Sequence, residues 1–404
     1  MFEKRPLKVC HICPQFKLHH GGGEPVLFNL FREMADVGFE NTVLTNKFPD
    51  EFLPHLDKRV QLKGLPRILN FRFKNPLLES LLDFILSPFL LTNIPKNTDV
   101  ICFYTENMVP AMFFYKILFR GKCLYYCFQP PRFAYDVQKE TVLAGGKSVF
   151  RHLVPIFSWL YRPFDRIVVG WADHIVVFSK DYKKWVEQLY RAKKVSVLPP
   201  GVARPKKLLE LPEKIQNRLA DDSQIIIFSG KFVGKKNLDR VLNVLNIVVQ
   251  SNVRVLLLLV GDGPEKGKLE QITREYQLED HVVFCGFVSD PEAIFSFYNI
   301  AELGILLEKN VSFGLSLTEA NACGVPVLAF DKGGPSDIVK HGQNGFLLPL
   351  DASDEDIAEL ILNYFSGPVS SIMQKASIDI AQRYSWPRFG RHYANLLHSL
   401  TDGT

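Results

Sequence analysis

A short apolar run that ends in a glycine-containing loop and leads into an amphipathic stretch occurs twice in this chain. Each time a train of similar runs follows. LKVCHIC leads into GGGE at 21–24 and a helix predicted over 24–37, and ENTVLT, DVICFY, KCLYYCF and HIVVFS continue the series. QIIIFS restarts it, leads into SGKFVGKKN at 229–237, and is followed by VRVLLLLVG, HVVFCG, AELGILL and PVLAF. Short apolar runs alternating with helical patterns point to parallel sheets covered by helices. Two α/β halves are therefore expected, each self-sufficient in strands. A length of 404 residues suits two or three domains.

The junction is placed in VSVLPPGVARPKKLLELPEK, which is rich in proline and charge and lacks period. The boundary is set near 203, with a first domain over 1–203 and a second over 204–380. Residues 381–404 break the symmetry: YSWPRFGRHYANLLHSL reads as a helix with Ser385 as N-cap, crossing back onto the first domain. NPLLESLLDFILSPFLLTNI, 75–94, reads as one apolar helix with a polar stripe of Glu79, Asp83 and Ser87, packed against a sheet.

Several classes are disfavoured. No run of about 18 apolar residues marks a membrane span, and no secretory signal is expected. Seven scattered cysteines fit a reducing cytoplasm. Cys10 and Cys13 form a CxxC without a second pair, so buried free thiols are expected rather than a zinc site. A net charge of +5 does not by itself imply nucleic acid.

The loops carry the chemistry. Glycines at 21–23 let backbone approach a ligand at a helix start, although GxGxxG is absent and a tight turn fits as well. Lys231 and Lys236 lie five apart across a strand end and a helix start, which suits a diphosphate; a solvated basic loop is the alternative. GDGP at 261–264 and CGFVSD at 285–290 end strands, where open parallel sheets bind ligands. In SFGLSLTEANACG, Gly314 and Leu315 begin a predicted helix that stops at Gly324. Glu319 then lies one turn in, a carboxylate among small and apolar neighbours. A ribose could supply two hydroxyls to it beside nucleotide phosphates. In GGPSDIVKHGQNGFLL, Asp337 is placed in a helical turn and HGQNGF in a turn. Asp354–Asp356, the one D-x-D, reads as a helix cap.

Together GKFVGKKN, LVGDGP, VVFCGFV, SFGLSLTEANACGVPVLAF and GGPSDIVKHGQNGFLL resemble the retaining GT-B glycosyltransferases of family 4. VLPPGV, ADHIVVFS and YYCFQPPRFAYD extend the match to the first half, the last resembling mannosyltransferase-like members that build cell-surface polysaccharides. The resemblance implies two Rossmann-like domains facing an interdomain cleft. It implies a nucleoside-diphosphate sugar, GDP or UDP type, as co-substrate, no cofactor, no metal, and a glycan or lipid-linked acceptor on the first domain. It places Lys231 and Lys236 on the diphosphate and Glu319 on the ribose. Gly22 and Gly23 fall against the phosphates. Gly230, Gly261, Phe287, Val288, Phe313, Gly314 and Leu315 fall on the donor side, and Gln129, Arg132, Tyr135 and Asp136 on the acceptor side. Three departures stand out. Val311 replaces the first glutamate of E-x7-E, with Glu308 as a substitute if the loop bends. Phe128 replaces a histidine, and Lys231 an arginine, losing the bidentate fork.

The expected reaction is hexosyl transfer, mannosyl among the options, with retention and without metal. A non-catalytic nucleotide-sugar-binding member and a nucleotide-sugar epimerase are the rivals. SVFRHLVPIFSWLYRPFDR, 148–166, mixes aromatics with Arg151, Arg162 and Arg166. It fits either a packed helix or a peripheral contact at the inner face of the cytoplasmic membrane.

Overall fold

The computed structural model describes residues 5–13, 16, 23–46, 48, 50–65, 76–135, 150–203, 209–219, 223–251, 253–288, 290, 292–367 and 371–402. The chain divides into two compact units. Met1–Gly201 and Trp386–Thr404 form the first, and Val202–Ser385 the second.

The first unit is built on a seven-stranded sheet of β1 (Lys8–Cys13), β2 (Glu40–Thr45), β3 (Gln61–Gly64), β4 (Val100–Tyr104), β5 (Cys123–Tyr126), β6 (His174–Val177) and β7 (Val195–Val197). Its order is β3-β2-β1-β4-β5-β6-β7, with every pair parallel. The central strands are buried nearly throughout, as continuous apolar runs between two helical layers must be. Cys10 and Cys13 are buried free thiols of β1.

The second unit carries a six-stranded parallel sheet of β8 (Gln224–Ser229), β9 (Val255–Val260), β10 (Val282–Gly286), β11 (Leu303–Leu306), β12 (Val327–Phe330) and β13 (Gly345–Leu348). Its order is β10-β9-β8-β11-β12-β13. In both sheets the winding reverses beside the first strand, between β1 and β4 and between β8 and β11. That switch point is where the carboxyl ends of an open α/β sheet leave room for a ligand.

Three strands were not legible as such. β3 and β13 are four residues long, and β7 falls inside the stretch read as linker. The linker reading is corrected there: VSV pairs with β6. The 75–94 segment is also corrected. It is not one helix but Pro76–Leu86 followed by a 3-10 turn, Ser87–Asn93, because Pro88 cannot continue the α ladder. Asp83 of the polar stripe is buried and accepts from Asn46 Nδ2 at 3.0 Å.

Helix Trp386–Thr401 packs on helix Gly23–Asp36 of the first unit. Its Tyr393 joins a buried polar chain that starts on β1. Asn41 spends its Nδ2 on the Phe39 carbonyl, so its Oδ1 accepts from His11 Nε2 at 3.0 Å. His11 Nδ1 then accepts from Tyr104 at 2.8 Å, and Tyr104 is bonded to Tyr393 at 2.9 Å. Every polar atom in that chain has a partner, which a dry interior requires. Burial holds the imidazole pKa down at about 4.

Candidate active site

The site residues of the second half collect at the carboxyl edge of its sheet. β8 ends at Ser229 and its loop carries Gly230 and Lys231. A 3-10 turn, Gly234–Lys236, then delivers Lys236. Asn237, with φ 51°, follows, and its Nδ2 donates to the Leu307 carbonyl at 2.7 Å. That bond fastens the loop after β8 to the loop after β11, across the switch point. There Lys236 Nζ lies 2.5 Å from Glu308 Oε2, and Lys235 Nζ 3.3 Å from Oε1. The Glu308 side chain is only 5% exposed, so the ion pairs offset a desolvation cost of several kcal/mol.

The neighbouring loops meet backbone to backbone. Gly230 N donates to the Val260 carbonyl at 3.0 Å, and a Cβ on Gly261 would lie 1.9 Å from the Gly230 oxygen. Only glycine fits at that approach. Phe287, half exposed, and Val288 follow β10, two strands away from β8. After β11, Val311 and Phe313 are buried. The Val311 carbonyl accepts from Gly334 N at 2.9 Å, and the Phe313 ring packs on Tyr384 at 5.4 Å. Gly314, at φ 105°, caps helix Leu315–Ala322. The N–H groups of Leu315 and Ser316 open its first turn at the same edge and favour an anion, while Leu317 N donates to the Gly314 carbonyl at 3.0 Å.

Glu319 lies on that helix, partly buried, with Oε2 accepting from the buried Tyr298 at 3.2 Å. Burial pushes its carboxyl pKa up, and the Tyr298 hydrogen bond opposes this. The protein thus supplies one partner that sequence reading left to the ligand. Tyr298 was missed because one tyrosine in the helix Ala293–Asn299 gives no sign of what it faces. Asp354 pairs with Arg240 at 2.5 Å, while Asp356 and Ser353 form a capping box.

In the first unit, Gly23 begins helix Gly23–Asp36, and its added Cβ would lie 3.4 Å from the Phe128 ring. Phe128 itself packs among Tyr104, Tyr126 and Phe178. Gln129 is half-buried just after β5. Tyr135 donates to the Arg162 carbonyl at 3.2 Å and lies under Arg162 and Arg166 at 5.9 and 5.8 Å. Arg132 opens the short helix Arg132–Tyr135. Gly22 and Asp136 lie outside the described residues, as does the Arg132 side chain.

Two doubly wound units of this topology, with cationic and glycine loops at a switch point, define a GT-B fold. Residues 20–204 match the family model described as Glycosyltransferase Family 4, and residues 212–382 match Glycosyl transferases group 1. The chain belongs to these GT-B glycosyltransferases. Among similar proteins, N-acetyl-alpha-D-glucosaminyl L-malate synthase of Bacillus anthracis is 33% identical over 129 residues, 32% of this chain and 33% of that protein. GDP-mannose-dependent alpha-(1-6)-phosphatidylinositol monomannoside mannosyltransferase of Mycobacterium tuberculosis is 25% identical over 228 residues, 51% of this chain and 58% of that protein. These matches therefore span less than two thirds of either relative. The solved sucrose-phosphate synthase of Thermosynechococcus elongatus superposes with TM-score 0.77 at 19% identity, covering 98% of this chain and 100% of its own.

Proposed function

We propose that this protein transfers a hexosyl group from a nucleoside-diphosphate sugar to a glycan or lipid-linked acceptor, with retention and without metal. Mannose is the suggested sugar, in keeping with the GDP-mannose-dependent relative. The observation that carries this reading is the meeting of Lys236, Glu308 and the Gly314-capped helix at the β8/β11 switch point. Lys231, Lys236 and the helix N–H groups stabilise the diphosphate as the bond from its oxygen to the sugar C1 breaks, the main electrostatic contribution. The acceptor oxygen bonds C1 on the same face, and its proton passes to the departing phosphate. Glu319 accepts from the ribose hydroxyls. Glu308 keeps Lys236 in place until the donor phosphates arrive. Gly22, Gly23, Gly230 and Gly261 let backbone come close to the donor, while Gln129, Arg132, Tyr135 and Asp136 form the acceptor side.

A second reading, nucleotide-sugar binding without turnover, draws on Val311 and Phe128, both packed where the family carries polar groups. Single-turnover incubation with GDP-mannose, UDP-glucose and UDP-N-acetylglucosamine, read for free nucleoside diphosphate, separates the two. Release is expected with one donor, and Lys236→Ala should lower it about 10²–10³-fold. Donor binding without release supports the second reading. An unchanged rate and donor affinity in Lys236→Ala overturn the site.

A further inference from the structure

Helix Phe150–Gly170 carries large apolar side chains on its outer face as well as on the face that packs into the core. Ile156, Trp159, Leu160 and Ile167 form one stripe at helical spacing and are 58, 71, 59 and 55% exposed. Its buried face carries Tyr161, Val168 and Val169 beside Ser158 and Asp165, so the outer stripe is not needed to fill the core. Helix Val109–Leu118 lies alongside, joined through Phe113, which stacks on Trp171 at 5.9 Å and packs on Phe164 at 5.4 Å. It adds exposed Phe114, Ile117 and Leu118, with Phe119 just past its end. An apolar surface shared by two helices is more than the scattered exposure that any soluble protein shows.

Cations gather at the C-terminal end of helix Phe150–Gly170. Gly170 ends its helix against the Tyr190 carbonyl, 3.5 Å from its Cβ position. The loops entering β5, β6 and β7 meet at that end. Arg120 and Lys122 precede β5, and Arg191, Lys193 and Lys194 precede β7. Arg120, Arg191, Lys193 and Lys194 are exposed. Asp173, which precedes β6, is held by Lys116 at 2.7 Å. An apolar stripe with a heavily exposed tryptophan, followed by a cluster of lysines and arginines, is complementary to an anionic bilayer surface. A second copy of the same face would bring only the same excess of cations.

We propose that this two-helix face lies on an anionic lipid bilayer, with the stripe in the interface and the basic loops among the headgroups. The inference deepens the lipid-linked reading of the acceptor. Binding is measured without turnover, so its failure and a failure of the transfer reading are separate results. The test is co-sedimentation with phosphatidylcholine vesicles, with and without 30% phosphatidylglycerol. Wild type is expected on the anionic vesicles with a blue-shifted tryptophan emission, and far less on the neutral ones. Each basic residue near such a surface is worth about fivefold, so Lys193→Glu/Lys194→Glu should lower partitioning at least tenfold. Ile156→Ser/Leu160→Ser, at exposed positions, should do the same, with an unchanged urea transition showing that the fold is intact. Equal partitioning to both vesicle types, no binding, or an indifferent Lys193→Glu/Lys194→Glu overturns the proposal. So does a dimer that Ile156→Ser/Leu160→Ser dissociates while vesicles bind nothing.

Discussion

The buried His11 chain makes a signed prediction about acid. Burial lowers the imidazole pKa from 6.5 to about 4, although the Asn41 hydrogen bond opposes this. Between those values the unfolded chain holds more protons than the folded one, so stability falls as pH falls. The contribution is whole above the unfolded pKa. Proton linkage makes its loss about 2 kcal/mol between pH 7 and pH 5. The wild-type curve alone will not reveal it. Asp165 in the same unit is raised to about 6, chiefly by burial. Its linkage runs the other way and returns about 1 kcal/mol over the same interval. Burial raises Glu33 too, in that same compensating sense.

The perturbation is therefore His11→Gln, which keeps a donor toward Asn41 and does not titrate. All four tryptophans, Trp159, Trp171, Trp185 and Trp386, belong to the first unit, so their fluorescence in urea follows that unit alone. The quantity to read is the stability of wild type minus that of the variant, at pH 7 and again at pH 5. That difference should shrink by about 2 kcal/mol on acidification. A difference constant within about 0.5 kcal/mol would mean that the imidazole titrates normally and that the chain Asn41–His11–Tyr104–Tyr393 does not hold it neutral.

Two further outcomes concern the second unit. Gly261→Ala places a methyl 1.9 Å from the Gly230 oxygen at φ 143°, so it should destabilise by at least about 2 kcal/mol, whereas Gly267→Ala, with nothing within 4 Å, should be neutral or stabilising; calorimetry of both variants checks the contrast. Tyr298→Phe removes the hydrogen bond to the partly buried Glu319 carboxylate, and should lower stability by about 1.5–3 kcal/mol and shift the Glu319 titration further up, measured by calorimetry and carbonyl NMR.

What the sequence made legible follows from the range of the forces involved. Apolar runs such as VLLLLV and QIIIFS announce buried parallel strands because both faces must be covered, and the glycines at 230, 261 and 314 announce close or left-handed backbone. The edge strands β3, β7 and β13 gave little signal, being short and, in β3, mostly exposed. What spacing could not give is which side chains meet across the sheet. Glu308 sits 72 residues from Lys236, and Tyr298 contacts Glu319 only because helix Ala293–Asn299 packs on helix Leu315–Ala322. The two carboxylates of this edge consequently exchange meaning. Glu319, which looked unpaired, has a phenol, and Glu308, which looked like a spare sugar contact, is committed to two lysines. Under the proposed transfer reading, a donor diphosphate would meet two lysines that already share one buried carboxylate, a net charge of +1, so its affinity should depend on how readily Glu308 yields them. In that reading the Glu308 ion pairs set the electrostatic threshold for donor binding.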